Sequence, residues 1–100
     1  MGDPYLSVEA ATDLAEVMQG LASPTRLQVV ARLRQGALDV TSLSNELDIS
    51  QATLSNHLRV LRHAHLVKGT RLGRSIVYSL FDDHVAAFID EALTHLRHTR

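Results

Sequence analysis

The chain has 100 residues, with six histidines and no cysteine. Any metal chemistry it performs must therefore use imidazole and carboxylate, and disulfides, zinc ribbons and thiolate sites are excluded together. Near the C-terminus the stretch DDHVAAFIDEALTHLRH (82–98) places two histidines as His95-x-x-His98 and a third, His84, eleven residues before His95. Residues three apart on a helix are surface neighbours, so His95 and His98 can chelate from one face. Eleven residues turn a helix through about 1,100°, which brings His84 back to nearly that face but about 16 Å away along the axis. Metal–ligand bonds are about 2 Å long. One helix cannot gather these side chains around one ion. The stretch is either an ordinary terminal helix, whose late histidines are favoured by the helix dipole, or half of a metal site.

A second cluster of chemistry is electrostatic. Residues 50–81 contain Arg59, Arg62, Lys68, Arg71 and Arg74 and no Asp or Glu, whereas the segments on either side are net acidic and bring the whole chain to −1. A middle third free of carboxylates is a basic face suited to a polyanion, whatever the total charge.

The elements that must position these groups follow from periodicity. Residues 7–21 open on a Ser cap and repeat Val8, Ala11, Leu14, Ala15 and Met18 at helical spacing. In LASPTRLQVVARLRQG, Pro24 suits a first turn, Leu27, Val30, Ala31 and Leu33 supply an apolar side, and Gly36 suits a stop. VTSLSNELDIS predicts a short helix opened by Thr41, and Asp48-Ile49-Ser50 a tight turn. Ser50 then caps a longer helix, QATLSNHLRVLRHA, with Leu54, Leu58, Val60 and Leu61 inward. Two helices joined this tightly form a helix-turn-helix. The polar residues Gln51, Thr53, Ser55 and Asn56 gather at the end of the second helix that meets base edges in this motif, with Arg59 further along. After it, Leu66-Val67 and Ile76-Val77-Tyr78 flank RLGR, a hairpin whose tip carries Arg71 and Arg74 and whose Gly73 supplies a positive φ. A basic hairpin behind a helix-turn-helix is a wing, placed for phosphates or the minor groove. The last helix, from about Asp83 to Arg97, carries Val85, Phe88, Ile89, Ala92, Leu93 and Leu96. That apolar face is wide enough for its own domain and a partner, and Val8, Leu14 and Met18 suit the same interface. Symmetric dimerisation is the expected result.

These residues resemble the ArsR/SmtB family of bacterial winged-helix repressors. LASPTRLQVVARL looks like the family's second helix, SQATLSNHLRVLRHAHLV its recognition helix and GRSIVYSL its second wing strand, and the resemblance spans roughly residues 10–98. It implies one mainly α (α+β) winged helix-turn-helix domain over 1–100, in the order helix-helix-helix-helix-strand-strand-helix. It implies a homodimeric repressor on an inverted-repeat DNA operator, with Gln51, Leu54, Ser55 and Asn56 facing bases or phosphates. Ser50, Thr53, Arg59, Arg71 and Arg74 complete the expected DNA-binding set.

The resemblance also bears on the histidines. Members that use cysteines carry them where this chain reads ALDVTSLSN, so that type of site is absent. A second group senses zinc, cobalt or nickel through Asp-x-His and a later His-x-x-His on the last helix, which Asp82, His84, His95 and His98 match. Antiparallel pairing of two such helices sets Asp82 and His84 of one chain beside His95 and His98 of the other, giving two sites per dimer. One carboxylate and three imidazoles suit Zn²⁺, with Ni²⁺ or Co²⁺ second. Nickel favours more ligands, which the resemblance implies come from a His-bearing N-terminus, and here MGDPY offers only Asp3, the terminal amine and backbone. The family's pattern further implies that His95 passes its second N–H to a backbone carbonyl near His65. His57, His63 and His65 are expected to be surface or packing residues, and Asp82 read alone is simply a helix cap.

Metal-triggered release from the operator is the function this predicts. The alternative keeps the DNA-binding fold and gives sensing to a protein co-regulator or another ligand. A metallohydrolase would need an open metal position, a base and a pocket, and neither such a motif nor a Gly-rich phosphate loop or nucleophile motif is present. No apolar run reaches the roughly 20 residues of a membrane span and the N-terminus lacks a signal-peptide pattern, so a cytoplasmic protein is expected.

Overall fold

Every helix begins where a short side chain offers an oxygen to a free amide. The computed structural model describes residues 5–100. In chain order these form helices α1 (Val8–Leu21) and α2 (Pro24–Leu33), strand β1 (Leu38–Asp39), helices α3 (Val40–Leu47) and α4 (Gln51–His63), strands β2 (Val67–Leu72) and β3 (Ser75–Leu80), and helix α5 (Asp83–His98). The caps are Ser7 for α1, Ser23 for α2, Asp39 for α3, Ser50 for α4 and Asp82 for α5, each accepting a backbone N–H from the first turn. Each satisfies a donor that the helix itself leaves free. The third helix was expected to open at Thr41. Asp39 takes the cap instead, its Oδ1 accepting from Ser42 N at 2.7 Å, so Val40 is already helical. The Ser42 amide and hydroxyl hold the Asp39 carboxyl below its ordinary range against a small desolvation cost.

Asp48 turns the chain between α3 and α4 in the left-handed conformation, φ 56°. Ser44, buried in α3, donates from its hydroxyl to the Ile49 carbonyl. The same turn closes from the other side where Ile49 N–H donates to Ser44 O at 3.1 Å. This is the helix-turn-helix, with α4 as its second helix. Leu54, Leu58 and Leu61 of α4 are buried on one face, spaced i, i+4, i+7 as a core-facing stripe requires. Val60 was expected inward, but it falls off that stripe and is 37% exposed.

α4 ends in a Schellman arrangement: Leu66 N–H reaches back to Leu61 O at 2.9 Å and His65 N–H to Arg62 O at 3.0 Å. His65 sits at the left-handed position usually given to glycine, φ 58°.

The wing is antiparallel, β2 pairing with β3 from Val67↔Leu80 to Leu72↔Ser75. Its turn is therefore only Gly73-Arg74, shorter than the expected RLGR loop, and Gly73 has φ 63°. A two-residue turn with glycine first matches the twist of the flanking strands. Arg71 is thus within the strand and Arg74 alone of the two is at the tip. Gly69 faces Tyr78 across the ladder. A Cβ there would lie 3.0 Å from the Ile76 side chain and 3.2 Å from the Tyr78 ring, so the aromatic ring occupies the space a side chain would need. One element was not anticipated: β1 adds two residues to the sheet, pairing Leu38↔Tyr78 and Asp39↔Val77 in the order β1-β3-β2.

The core joins α2, α3, α4, the base of β2 and the start of α5, through Val29, Val30, Leu43, Leu58, Val67 and Ile89 among others. Around it α1 and α5 keep apolar residues in solvent: Val8, Leu14 and Met18 on α1, Phe88 and Leu96 on α5. No helix among the described residues is long and apolar enough to cross a membrane. Because Leu58 is 1% exposed inside this core, Leu58→Ala should destabilise the fold by about 2–5 kcal/mol. Urea unfolding followed by circular dichroism measures it, and a loss below about 1 kcal/mol would mean the core is not packed as described.

Candidate metal centre and nucleic-acid interface

The metal-type residues all ride on α5. At its start Asp82 splits its carboxylate between two tasks. Oδ1 accepts from His84 N at 3.0 Å and from Val85 N at 3.2 Å, while Oδ2 lies 3.5 Å from His84 Nδ1. Desolvation opposes ionisation here, but the amides of Val85 and His84 and the His84 ring outweigh it and hold the carboxyl below its ordinary range. The His84 side chain is 96% exposed. Asp82 and His84 thus form one outward pair, Oδ2 facing Nδ1 of the exposed His84 ring.

His95 and His98 sit in the last turn, both exposed. They share a face of one helix but lie far from Asp82 and His84. Among the described residues, no three potential ligands come together within a single chain. One carboxylate and three imidazoles are donors of the type a transition-metal ion takes, and one chain presents them as two separate pairs. Asp3 lies outside the described residues.

The other histidines are half-buried or at the surface. His57 is half-buried with Nδ1 3.3 Å from Arg26 Nη1. His65 meets Phe81 edge-on, with ring centroids 5.6 Å apart, and His63 is exposed. His65 and Phe81 also stand on the wall of an open apolar groove of about 390 Å³ between α1 and the start of α5.

α4 and the wing both carry exposed polar residues and share a cleft. Ser55, Asn56 and Arg59 are exposed on α4, and Arg71 and Arg74 on the wing. Among the described residues none of these arginines has an ion-pair partner. Ser50 is occupied as the cap, accepting from Thr53 N at 3.2 Å and donating to Thr53 Oγ1 at 2.9 Å. Gln51 Nε2 donates to Thr41 Oγ1 at 3.4 Å. A cleft of about 300 Å³ connects α4 to the wing tip, lined by Thr41, Ser55, Arg74, Ser75 and Tyr78, with Asp39 at its base.

The same arrangement is found in known regulators. The model for the bacterial regulatory protein arsR family matches residues 23–68. The chain is 48% identical over 93 residues to the HTH-type transcriptional regulator NmtR of Mycobacterium tuberculosis, covering 93% of this chain and 78% of that protein. It is 37% identical over 92 residues to a transcriptional repressor SmtB homolog of Synechocystis, covering 92% and 70%. The solution structure of apo-NmtR superposes with a TM-score of 0.79 at 46% identity, over 97% of this chain and 82% of that one.

The chain belongs to the arsR family. It is a winged-helix DNA-binding transcriptional regulator, not an enzyme, and the polar surface of α4 and the wing is where such a fold reads DNA.

Within this arsR-family surface one expectation fails. Leu54 was placed among the DNA-facing residues, but it has no exposed surface. It lies on the inward stripe of α4 with Leu58 and Leu61, so it braces the helix and cannot touch bases. Conversely, Thr41, Ser75 and Tyr78 line the cleft between α4 and the wing tip and were not among the expected residues. Only the polar start of the third helix signalled Thr41, whereas Tyr78 reads in sequence as one more strand aromatic.

Two outcomes follow from this geometry. Arg74 at the wing tip has no carboxylate to release, so Arg74→Ala should weaken binding to specific and nonspecific duplexes alike and flatten the log K versus log salt slope by about 1. Fluorescence anisotropy across a salt series measures this, and an unchanged slope would remove Arg74 from the phosphate contacts. Asp82 contributes to stability as a carboxylate with a depressed pKa, so its contribution is full above the ordinary value of 3.8 and is lost as pH falls through the lower folded value. Wild-type protein should therefore exceed Asp82→Ala in urea midpoint at neutral pH, with the gap closing below pH 3.8. A gap independent of pH would contradict the cap.

Proposed function

We propose that this chain works as a homodimeric repressor on an inverted-repeat operator, and that a transition metal bound between the α5 helices of two chains releases it. Zinc is the first choice of ion, with nickel or cobalt second. The observation that carries the proposal is the division of one donor set between the two ends of α5. Asp82 and His84 project at its start and His95 and His98 in its last turn, with unburied Phe88 and Leu96 along the same helix.

An antiparallel partner α5 puts the missing half beside each end. Asp82 already has Oδ1 committed to the cap, so its remaining oxygen serves as ligand without loosening the helix. His84 is held within 3.5 Å of that oxygen, which places its ring on the same side. His95 and His98 supply the i, i+3 pair. An ion held there would cross-link the carboxylate–imidazole pair of one chain, Asp82 and His84, to the imidazole pair of the other, His95 and His98. The apolar residues of α1 and α5 form the rest of the seam and set the separation of the two reading helices. DNA release then requires that the metal-filled seam favour a separation unsuited to successive major grooves, a coupling of about 1–3 kcal/mol or more.

The apolar groove beside Asp82 and His84 favours one other reading, in which a protein co-regulator docks there and takes over sensing. The two separate in a titration of purified protein with Zn²⁺, Co²⁺ and Ni²⁺ that follows optical coordination spectra and operator binding together. Metal sensing predicts two ions per dimer with release at the same stoichiometry, and a co-regulator predicts weak or irregular binding. His95→Ala should lower metal affinity by at least about tenfold while leaving apo operator affinity nearly intact. If metal releases that variant from DNA as it does wild type, the α5 site is not the switch.

A further inference from the structure

Every proposed ligand lies on α5, so how that helix is fastened to the body decides what the body can sense. Its start is anchored from below. Phe81 N–H donates to Leu66 O at 3.0 Å and the Phe81 ring meets His65, after which Val85 and Ile89 enter the core. Leu93 is the last α5 residue packed against that core, and residues 94–98 are exposed. Between Ile89 and Leu93, Arg34 at the end of α2 grips Asp90. Arg34 Nε lies 3.2 and 3.3 Å from the two carboxylate oxygens and Nη2 lies 3.0 Å from one of them. Among the described residues this is the only side-chain hydrogen bonding or ion pairing that joins α5 to another element.

The opposite tie lies two residues away on α2. Arg32 Nε is 2.6 Å from Glu46 of α3, and Arg32 Nη1 donates to Gly36 O at 3.3 Å. The end of α2 is therefore a short strut, tied by one arginine to the metal-bearing helix and by the next to the first helix of the helix-turn-helix. Leverage makes its outer tie consequential. From Asp90 to His98 the helix runs about 12 Å, so a tilt of about 10° at Asp90 carries His98 about 2 Å, which is one metal–ligand bond length.

We propose that Arg34 and Asp90 are positioning residues for the switch: their ion pair makes movement of α5 at the metal site move α2, and through Arg32–Glu46 the reading unit. This rests on the proposed metal site on α5. Both side chains are nearly half exposed, and such pairs add little to stability, so the fold survives their loss. What is lost is coupling.

The experiment compares Asp90→Asn and Arg34→Gln with wild type and with Asp90→Glu, which keeps the carboxylate. For each dimer it measures melting temperature, apo operator affinity, Zn²⁺ affinity, and the fold loss of operator affinity on adding Zn²⁺. In the two neutralised variants the first three should stay within about threefold or a few degrees of wild type, while the zinc-induced loss shrinks at least tenfold. Asp90→Glu should retain most of the wild-type loss. Wild type and both neutralised variants released by Zn²⁺ to the same extent would overturn the latch and leave the metal site standing. Equal drops in melting temperature and apo operator affinity, with the zinc-induced ratio preserved, would make the pair merely structural and also overturn it. A wild-type dimer that Zn²⁺ binds without release would overturn the metal reading and the latch together.

Discussion

An α-helix advances about 1.5 Å per residue and does not fold back. That rigidity governs the proposed site, because it holds His84 and His95 of one chain farther apart than any single ion can bridge. A flexible segment with the same four ligands would wrap an ion within one chain and report nothing about assembly. On α5 the same ligands are useful only when a second helix runs alongside. The apolar residues left in solvent on α1 and α5 are in keeping with that requirement. They flank the ligands, and burying them against a second copy would fix the distance at which the halves meet.

Rigidity of a different kind organises the reading surface. Leu54, Leu58 and Leu61 press one side of α4 into the core, so the opposite side is held out by packing and not by its own contacts. The cap then sorts the polar residues at its start. Ser50 and Thr53 hydrogen-bond to each other and to the first turn, which commits them to shape. Ser55 and Asn56, further along, are exposed and are the groups that the proposed function would turn toward base edges. The residues a sequence groups together as polar thus divide into those that build the helix end and those it presents.

Much of this was legible because the signals are local. Helical spacing, Pro24 in a first turn, the Asp48-Ile49-Ser50 turn and Gly73 between two β-rich runs each concern residues within a few positions of one another, and the order of the helices and the wing strands followed. The misses are nonlocal. β1 is two residues long and exists only because Tyr78 and Val77, far along the chain, offer it a strand edge. Val60 and Leu54 both lie on α4, and the stripe of Leu54, Leu58 and Leu61 that faces the core seals Leu54 and leaves Val60 partly in solvent. The residues of the proposed ligand set were read from the sequence, and the helix that separates them runs unbroken from Asp83 to His98. The strut at the end of α2 was invisible, since Arg34 and Asp90 are 56 positions apart.

The same pairing explains why a net charge of −1 does not argue against DNA. The arginines divide by partner. Arg26 donates to the Gly20 and Gln19 carbonyls at the end of α1, Arg32 holds Glu46 and Arg34 holds Asp90. All three arginines before residue 50 are thereby consumed within the fold. Two acids are consumed as well, Asp39 and Asp82 serving as caps. Arg59, Arg62, Lys68, Arg71 and Arg74 have no ion-pair partner among the described residues. They sit in a stretch with no carboxylate to compete. Charges neutralised inside the fold contribute little to the field at a distance, whereas unpaired ones on a shared face add. The field a phosphate backbone meets is therefore set by α4 and the wing. Acids farther than about 8 Å from that surface lower the total with little effect on it at physiological salt, and the carboxylate that does line the cleft, Asp39, is committed to capping α3.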